Sequence, residues 1–327
     1  MSAAAAAGTA RPVSAGIEAG GTKFVLALGT GPDDVVDTAV VPTTTPGETL
    51  ARVREFFDAP REGVRVSRVG IASFGPLDLR PSSPTYGRIT TTPKPGWAGT
   101  DLLGAVRSWF EVPAVIDTDV NGAAFGEARW GAARDVRSSA YLTVGTGIGG
   151  GAVVDGRVLG GQVHPEMGHL HVRRHPDDDF AGSCPFHGDC LEGMASGPAI
   201  RARVGRPAHD LGEELDRVVE LEAFYLAQLL STVALVLAPE RVVLGGGVLG
   251  MPGLMTAVRW AVLDRLAGAL DGTPVAEDVG SWLVPPQLGR LSGVLGAIAL
   301  TRPDTARVPG GTLHAPAVAT VLGAALR

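Results

Sequence analysis

Apolar residues along the chain follow two rhythms. Short apolar runs closed by glycine read as strands, and longer stretches with apolar residues three and four apart read as helices. Residues 14–29, S-A-G-I-E-A-G-G-T-K-F-V-L-A-L-G, hold two β-like runs around Gly20-Gly21-Thr22-Lys23, a hairpin with glycine at its turn. Residues 140–154, A-Y-L-T-V-G-T-G-I-G-G-G-A-V-V, repeat that plan around Gly145-Thr146-Gly147. Further short strands are expected at 69–73, at 114–116 and in R-V-V-L before Gly245-Gly246-Gly247. Helical spacing appears at 46–57 (Leu50, Val53, Arg54, Phe57), with Thr45 or Gly47 near its start, and from 101 to 110. It returns in G-A-A-F-G-E-A-R-W-G after Asn121, and at 213–238, 258–270 and 292–300. Strands alternating with helices make this an α/β protein.

The two hairpins lie roughly 125 residues apart and suggest a duplicated half-domain. Backbone N–H groups in such turns, beside the Thr22 hydroxyl and the Lys23 ammonium, can hold phosphate oxygens. Glu18 can meet a magnesium ion through water. The turn is not the longer G-x4-G-K-[ST] loop, which disfavours that NTPase class. Two hairpins facing each other across a cleft would clamp a nucleotide. Gly245, Gly246 and Gly247 would let a flat ring such as adenine approach the backbone. Asp117 and Asp119 stand at a strand-to-helix junction, where one can cap the helix and the other is free for base work. Residues 86–97 form a rigid loop whose Trp97 either anchors a ligand or packs locally.

Composition narrows the setting. At 327 residues the chain can hold two domains with sizeable cores. The net charge of −6 and the lack of a basic cluster disfavour a nucleic-acid face. Two cysteines make no disulfide framework, so a reducing cytoplasm is expected. Residues 1–13 read as a disordered Ala-rich leader without the features of a signal peptide. Residues 223–238, interrupted by Gln228, Ser231 and Thr232, suit a buried helix better than a membrane span.

Both cysteines lie between residues 164 and 193. Cys184-x2-His187-x2-Cys190 offers three ligands in seven residues, and His169 is a well-placed fourth for a closed, structural zinc site. A free cysteine pair or a disulfide among surface histidines is the alternative. Glu166 and Glu192 flank this set, and a histidine held through one ring nitrogen can offer the other to a ligand. Carboxylates and imidazole facing one space suit a polyol such as a sugar.

These motifs, in this order, resemble the ROK family of bacterial sugar kinases and repressors. The shared features are G-I-E-A-G-G-T-K, D-T-D-V-N-G-A-A, T-V-G-T-G-I-G-G-G, H-P-E-M-G-H, C-P-F-H-G-D-C-L-E-G and L-G-G-G, and they span roughly residues 15–300. I-T-T-T-P-K-P-G-W, R-R-H-P-D-D-D-F-A-G-S-C-P and W-L-V-P-P look most like the fructokinases of that family. The resemblance implies the two-domain actin-like/hexokinase (ribonuclease H-like) ATPase fold, with domains at 14–118 and 119–300 closing over a cleft and an extension at 301–327. It implies Asp119 as catalytic base, and Glu166, His169, Glu192 and Asn121 as sugar-binding residues. His169, Cys184, His187 and Cys190 become zinc ligands, with His187 where many relatives carry cysteine. Gly20–Lys23 and Gly145–Gly147 become the phosphate hairpins, and Gly245–Gly247 the adenosine site. Many relatives have Asn where Thr118 stands.

The expected activity is ATP-dependent phosphorylation of D-fructose at the 6-hydroxyl, with magnesium and a structural zinc. A glucokinase or mannokinase is the alternative, and a non-catalytic sugar-sensing regulator a more distant one. A repressor would need a DNA-reading helix-turn-helix before the first hairpin, which begins by residue 18. The expected partners are a hexose and ATP in a homodimer, with no nucleic acid and no membrane. Val318, Val321, Leu322, Ala325 and Leu326 share one helical face of the extension, which would pack on the body or a partner subunit if ordered.

Overall fold

The structure is a computed structural model, and it describes residues 10–302. Most of the stretch assigned to the leader, and all of the apolar face expected in the extension, fall outside those residues.

Two sheets carry the fold. The first is ordered β3-β2-β1-β4-β5, from Arg11–Ala19 (β1), Lys23–Gly31 (β2), Asp34–Pro42 (β3), Val64–Ser73 (β4) and Ala114–Thr118 (β5). The second is ordered β10-β9-β6-β7-β8, from Ser139–Val144 (β6), Ile148–Val154 (β7), Arg157–Val158 (β8), Arg241–Gly245 (β9) and Leu283–Val284 (β10). In each, a central strand pairs antiparallel with its hairpin partner and parallel with the strand on its other side. The outermost pairs match as well, β2–β3 and β7–β8 antiparallel, β4–β5 and β9–β10 parallel. One topology is therefore used twice, as the paired hairpins suggest.

β1 begins at Arg11, inside the stretch assigned to the leader. β3 has no counterpart in the sequence reading. It is an edge strand in which only Val41 is buried, so it shows little alternation.

The helices are α1 (Pro46–Asp58), α2 (Leu102–Arg107), α3 (Asp119–Trp130), α4 (Leu191–Ala195), α5 (Gly197–Val204), α6 (Leu215–Leu237), α7 (Leu254–Leu266), the short α8 (Pro274–Glu277) and α9 (Val279–Trp282), and α10 (Ser292–Leu300). Thr45 caps α1 through the Glu48 N–H, and Pro46 opens it. α2 is shorter than residues 101–110: Asp101 is its cap, not its first residue, and it closes at Ser108. α7 lies four residues ahead of the expected 258–270. It starts after Gly253 at φ +80° and stops at Ala267 and Gly268, both left-handed. Gly212–Leu237 is long and apolar enough to cross a membrane, but most of it is buried within the fold. It is the core helix on which α4 and α7 pack.

α3 and α10 join the halves. α3 packs on β6, β7 and β4, while α10 packs on α3 and returns to β1, β2 and β4. Their contact is backbone on backbone: a Cβ on Gly126 would meet Ser292 O at 2.8 Å, and one on Gly296 would meet Gly122 O at 1.8 Å. Buried Glu127 holds this crossing together. It accepts from the N–H groups of Ala132 (2.7 Å), Gln287 (3.1 Å) and Leu288 (3.0 Å) and from the Ser292 hydroxyl (2.7 Å).

Candidate active site

β5 delivers Asp117, Thr118 and Asp119 to the start of α3. Either aspartate was a possible cap, but the cap is Thr118, whose Oγ1 accepts from the Asn121 N–H at 3.1 Å. Both carboxylates are thereby spared. Asp117 Oδ1 accepts from Asn121 Nδ2 at 2.8 Å and from the Thr118 N–H at 2.7 Å. Asp119 accepts the Val120 N–H at 2.9 Å. Burial pushes its carboxyl up to about 6, with Glu166 adding to the rise and His164 opposing it. A carboxyl poised there is ionised at neutral pH and basic enough to take a hydroxyl proton. Asn121 is only 1% exposed; its Nδ2 donates to Asp117, and its buried Oδ1 has no protein partner.

Glu18, at the end of β1, faces Asp119. Burial, then the charge of Asp119, pushes it up to about 7, while Lys23 pulls the other way. Its Oε2 is buried without a protein partner, an atom that fits a hydrated cation. The first hairpin closes with the Gly20 N–H on Lys23 O at 3.0 Å, leaving Thr22 and Lys23 exposed at the tip. The second closes with the Gly145 N–H on Gly147 O at 2.8 Å, with Thr146 exposed. Glu192, in the first turn of α4, accepts the Ile148 N–H at 2.9 Å just beyond that turn.

The 164–193 stretch supplies the rest. Glu166 keeps a side chain 47% exposed. Burial raises its pKa, with Glu192 adding to the rise and His164 and His169 opposing it. Ligand atoms of His169, Cys184, His187 and Cys190 lie within 4.8 Å of one another. Cys184 Sγ is 3.7 Å from His169 Nδ1 and 3.8 Å from His187 Nδ1, and Cys190 Sγ is 3.6 Å from His169 Nδ1. Tetrahedral bonds of about 2.3 Å to sulfur and about 2.0–2.1 Å to nitrogen put ligand atoms about 3.3–3.8 Å apart, so the four residues fit zinc. The cysteines are not joined to each other. Burial pushes the Cys190 thiol up to about 11, so a metal bound here displaces a proton.

A cleft of about 500 Å³ opens beside β9, lined by Gly245 and Gly246 with Leu244, Leu249, Met255, Arg259, Pro285 and Pro286 among its walls. Its apolar sides suit a planar base. Gly246 has φ +99°, and a Cβ there would fall 2.2 Å from Val144 O. Gly247 is exposed but does not line the cleft. Pro285 and Pro286 belong to the W-L-V-P-P run, whereas Met255 and Arg259, one turn apart on α7, carry no local signature of a nucleotide wall. Trp97 is no ligand anchor. It is fully buried, its ring is 5.5 Å from those of Phe24 and Phe74, and its Nε1 donates to Thr44 O.

Two sheets of one topology, joined by α3 and α10 with carboxylates and glycine hairpins between them, form the actin-like sugar-kinase fold. The profile of the ROK family matches residues 14–303, and the chain belongs to that family. It is 46% identical over 288 residues to a fructokinase of Zymomonas mobilis, covering 87% of this chain and 94% of that one. It is 45% identical over 285 residues to a putative fructokinase of Bacillus subtilis, with the same coverage. Among solved structures it resembles a ROK hexokinase from Thermus thermophilus, with TM-score 0.72 and 30% identity over 88% of this chain and 97% of that one.

Proposed function

We propose that this chain is a fructokinase that transfers the γ-phosphoryl group of ATP to the 6-hydroxyl of D-fructose. The observation that carries the chemistry is Asp119 at the start of α3, a buried carboxyl pushed up to about 6 whose charge is felt by Glu18 and which feels that of Glu166. The choice of fructose is supported by relatives bearing that name at 39–46% identity over most of the chain.

Glu166, Glu192 and the free ring nitrogen of His169 accept or donate to the sugar hydroxyls. Asp119 takes the proton of the 6-hydroxyl as its oxygen attacks the γ-phosphorus, and ADP leaves. The base contributes on the order of 10²–10⁴ in rate. The N–H groups around Gly20–Lys23 and Gly145–Gly147 hold phosphate oxygens, and Lys23 supplies a positive charge. Gly245 and Gly246 let adenine lie against the β9 backbone. Glu18 is the residue placed to hold a hydrated magnesium ion, which would neutralise phosphate charge. His169, Cys184, His187 and Cys190 would hold a zinc that fixes the His169 ring. The protein is read as cytoplasmic and as a homodimer, with domains at 14–118 and 119–300.

A coupled ADP-release assay with fructose, glucose and mannose tests the reading. Fructose should give the highest kcat/KM. Preference for an aldohexose overturns the choice of sugar, and no ADP release with any of the three overturns the kinase.

A further inference from the structure

Among the described residues, a buried imidazole in the 164–193 stretch has no role in the chemistry above. His164 is 7% exposed and lies two residues before Glu166. Its Nε2 accepts the Leu77 N–H at 3.0 Å, from a loop that follows β4 of the first sheet. An acceptor carries no proton, so this bond places the ring proton of the neutral imidazole on Nδ1. Nδ1 stands 3.4 Å from Glu166 Oε1, with Pro165 O also 3.5 Å away. The ring lies against Gly75, where an added Cβ would come 3.5 Å from both Cε1 and Nε2.

The imidazole thus spans two parts of the molecule. One nitrogen is fixed by backbone of the first lobe, and the other addresses a half-exposed carboxylate of the second lobe. A half-exposed glutamate is otherwise free to rotate, and contacts in a site without substrate are commonly long and tighten on binding. We propose that His164 is a positioning residue for the hexose, orienting Glu166 from Leu77 so that the sugar-accepting carboxylate is registered to the opposite lobe. This inference rests on the sugar-kinase reading of the cleft.

Two substitutions separate the links. His164→Asn keeps an N–H near the place of Nδ1 but loses the acceptor for Leu77. His164→Gln keeps an acceptor near the place of Nε2 but loses the donor to Glu166. The wild type is first assayed with fructose, glucose and mannose, and the hexose it prefers becomes the probe. Each variant should raise the hexose KM by about tenfold or more while the ATP KM stays within about twofold. In a Glu166→Gln background the added cost of His164→Gln should vanish. An unchanged hexose KM in the folded variants, or costs that simply add, overturns the inference. Wild-type protein carrying isotope-labelled histidine provides a check free of folding effects: nuclear magnetic resonance should show His164 protonated on Nδ1, and a ring protonated on Nε2 overturns it. A chain inert toward all three sugars sinks the kinase reading, whereas an active chain with unmoved variants sinks this inference alone.

Discussion

Ser292 donates its hydroxyl hydrogen to Glu127 Oε1 at 2.7 Å, across 165 residues of sequence. The bond fastens the first turn of α10 to the last turns of α3, beside the glycine contacts that let the two helices touch. Glu222 is the contrast. It too is fully buried, but neither of its oxygens has a partner, its nearest cation is Arg203 Nη1 at 4.0 Å, and burial raises its pKa well above the usual range.

The same conservative change should therefore have opposite effects at these two sites. Glu127→Gln turns an NH2 group toward donors that need an acceptor. Each orphaned donor costs about 1–3 kcal/mol, so denaturant unfolding should show a loss of about 2–5 kcal/mol. Glu222→Gln should cost nothing and should stabilise increasingly as pH rises, because it removes a carboxyl that resists ionisation. A destabilised Glu222→Gln would mean that this carboxylate has a partner.

Asp119→Asn should lower turnover by about 10²–10⁴ while changing the hexose KM little. Calorimetry should show no loss of thermal stability at neutral pH, since the amide removes a buried charge. Turnover near that of the wild type would dismiss Asp119 as the base.

The pH profile should carry the same signature. The base must be ionised, so kcat/KM should fall on the acid side of about 6, where Asp119 takes up its proton. Stability should run the other way. A carboxyl raised from 3.8 to about 6 binds its proton more tightly when folded. Its favourable contribution is full below 3.8 and is lost as pH rises through about 6. Glu18 behaves alike between 4.5 and about 7. Melting temperature against pH, compared with Asp119→Asn, isolates the first part.

Elemental analysis should find one zinc per chain. Stripping it, or replacing Cys190 with Ser, should raise the hexose KM by about tenfold or more through loss of His169 orientation, with the ATP KM nearly unchanged. A metal-free protein with normal sugar affinity would refute the site.

Gly246→Ala should act on the nucleotide instead. Its φ of +99° and the approach to Val144 leave no space for a methyl group. Such strain costs about 1–3 kcal/mol, and the displaced β9 turn should raise the ATP KM more than the hexose KM.

Much of this was legible in the chain because glycine and cysteine have few uses. The turns at Gly20 and Gly145 declare hairpins, and Cys184, His187 and Cys190 declare a ligand set. Other parts were hidden for physical reasons. β3 is half-exposed on an edge, so its apolar residues do not alternate cleanly. Thr118 sits between two aspartates, and all three side chains can cap a helix. His164 is visible in H-P-E-M-G-H, but its bond to Leu77 spans 87 residues and exists only once the lobes are in place.

α10 also bears on how the protein comes into being. The patch of the first sheet that it covers, including Gly16 on β1 and Gly70 on β4, waits for residues 292–300 to be synthesised. Until those residues leave the ribosome the early half displays bare apolar surface, and a fragment ending before them should clump when expressed alone.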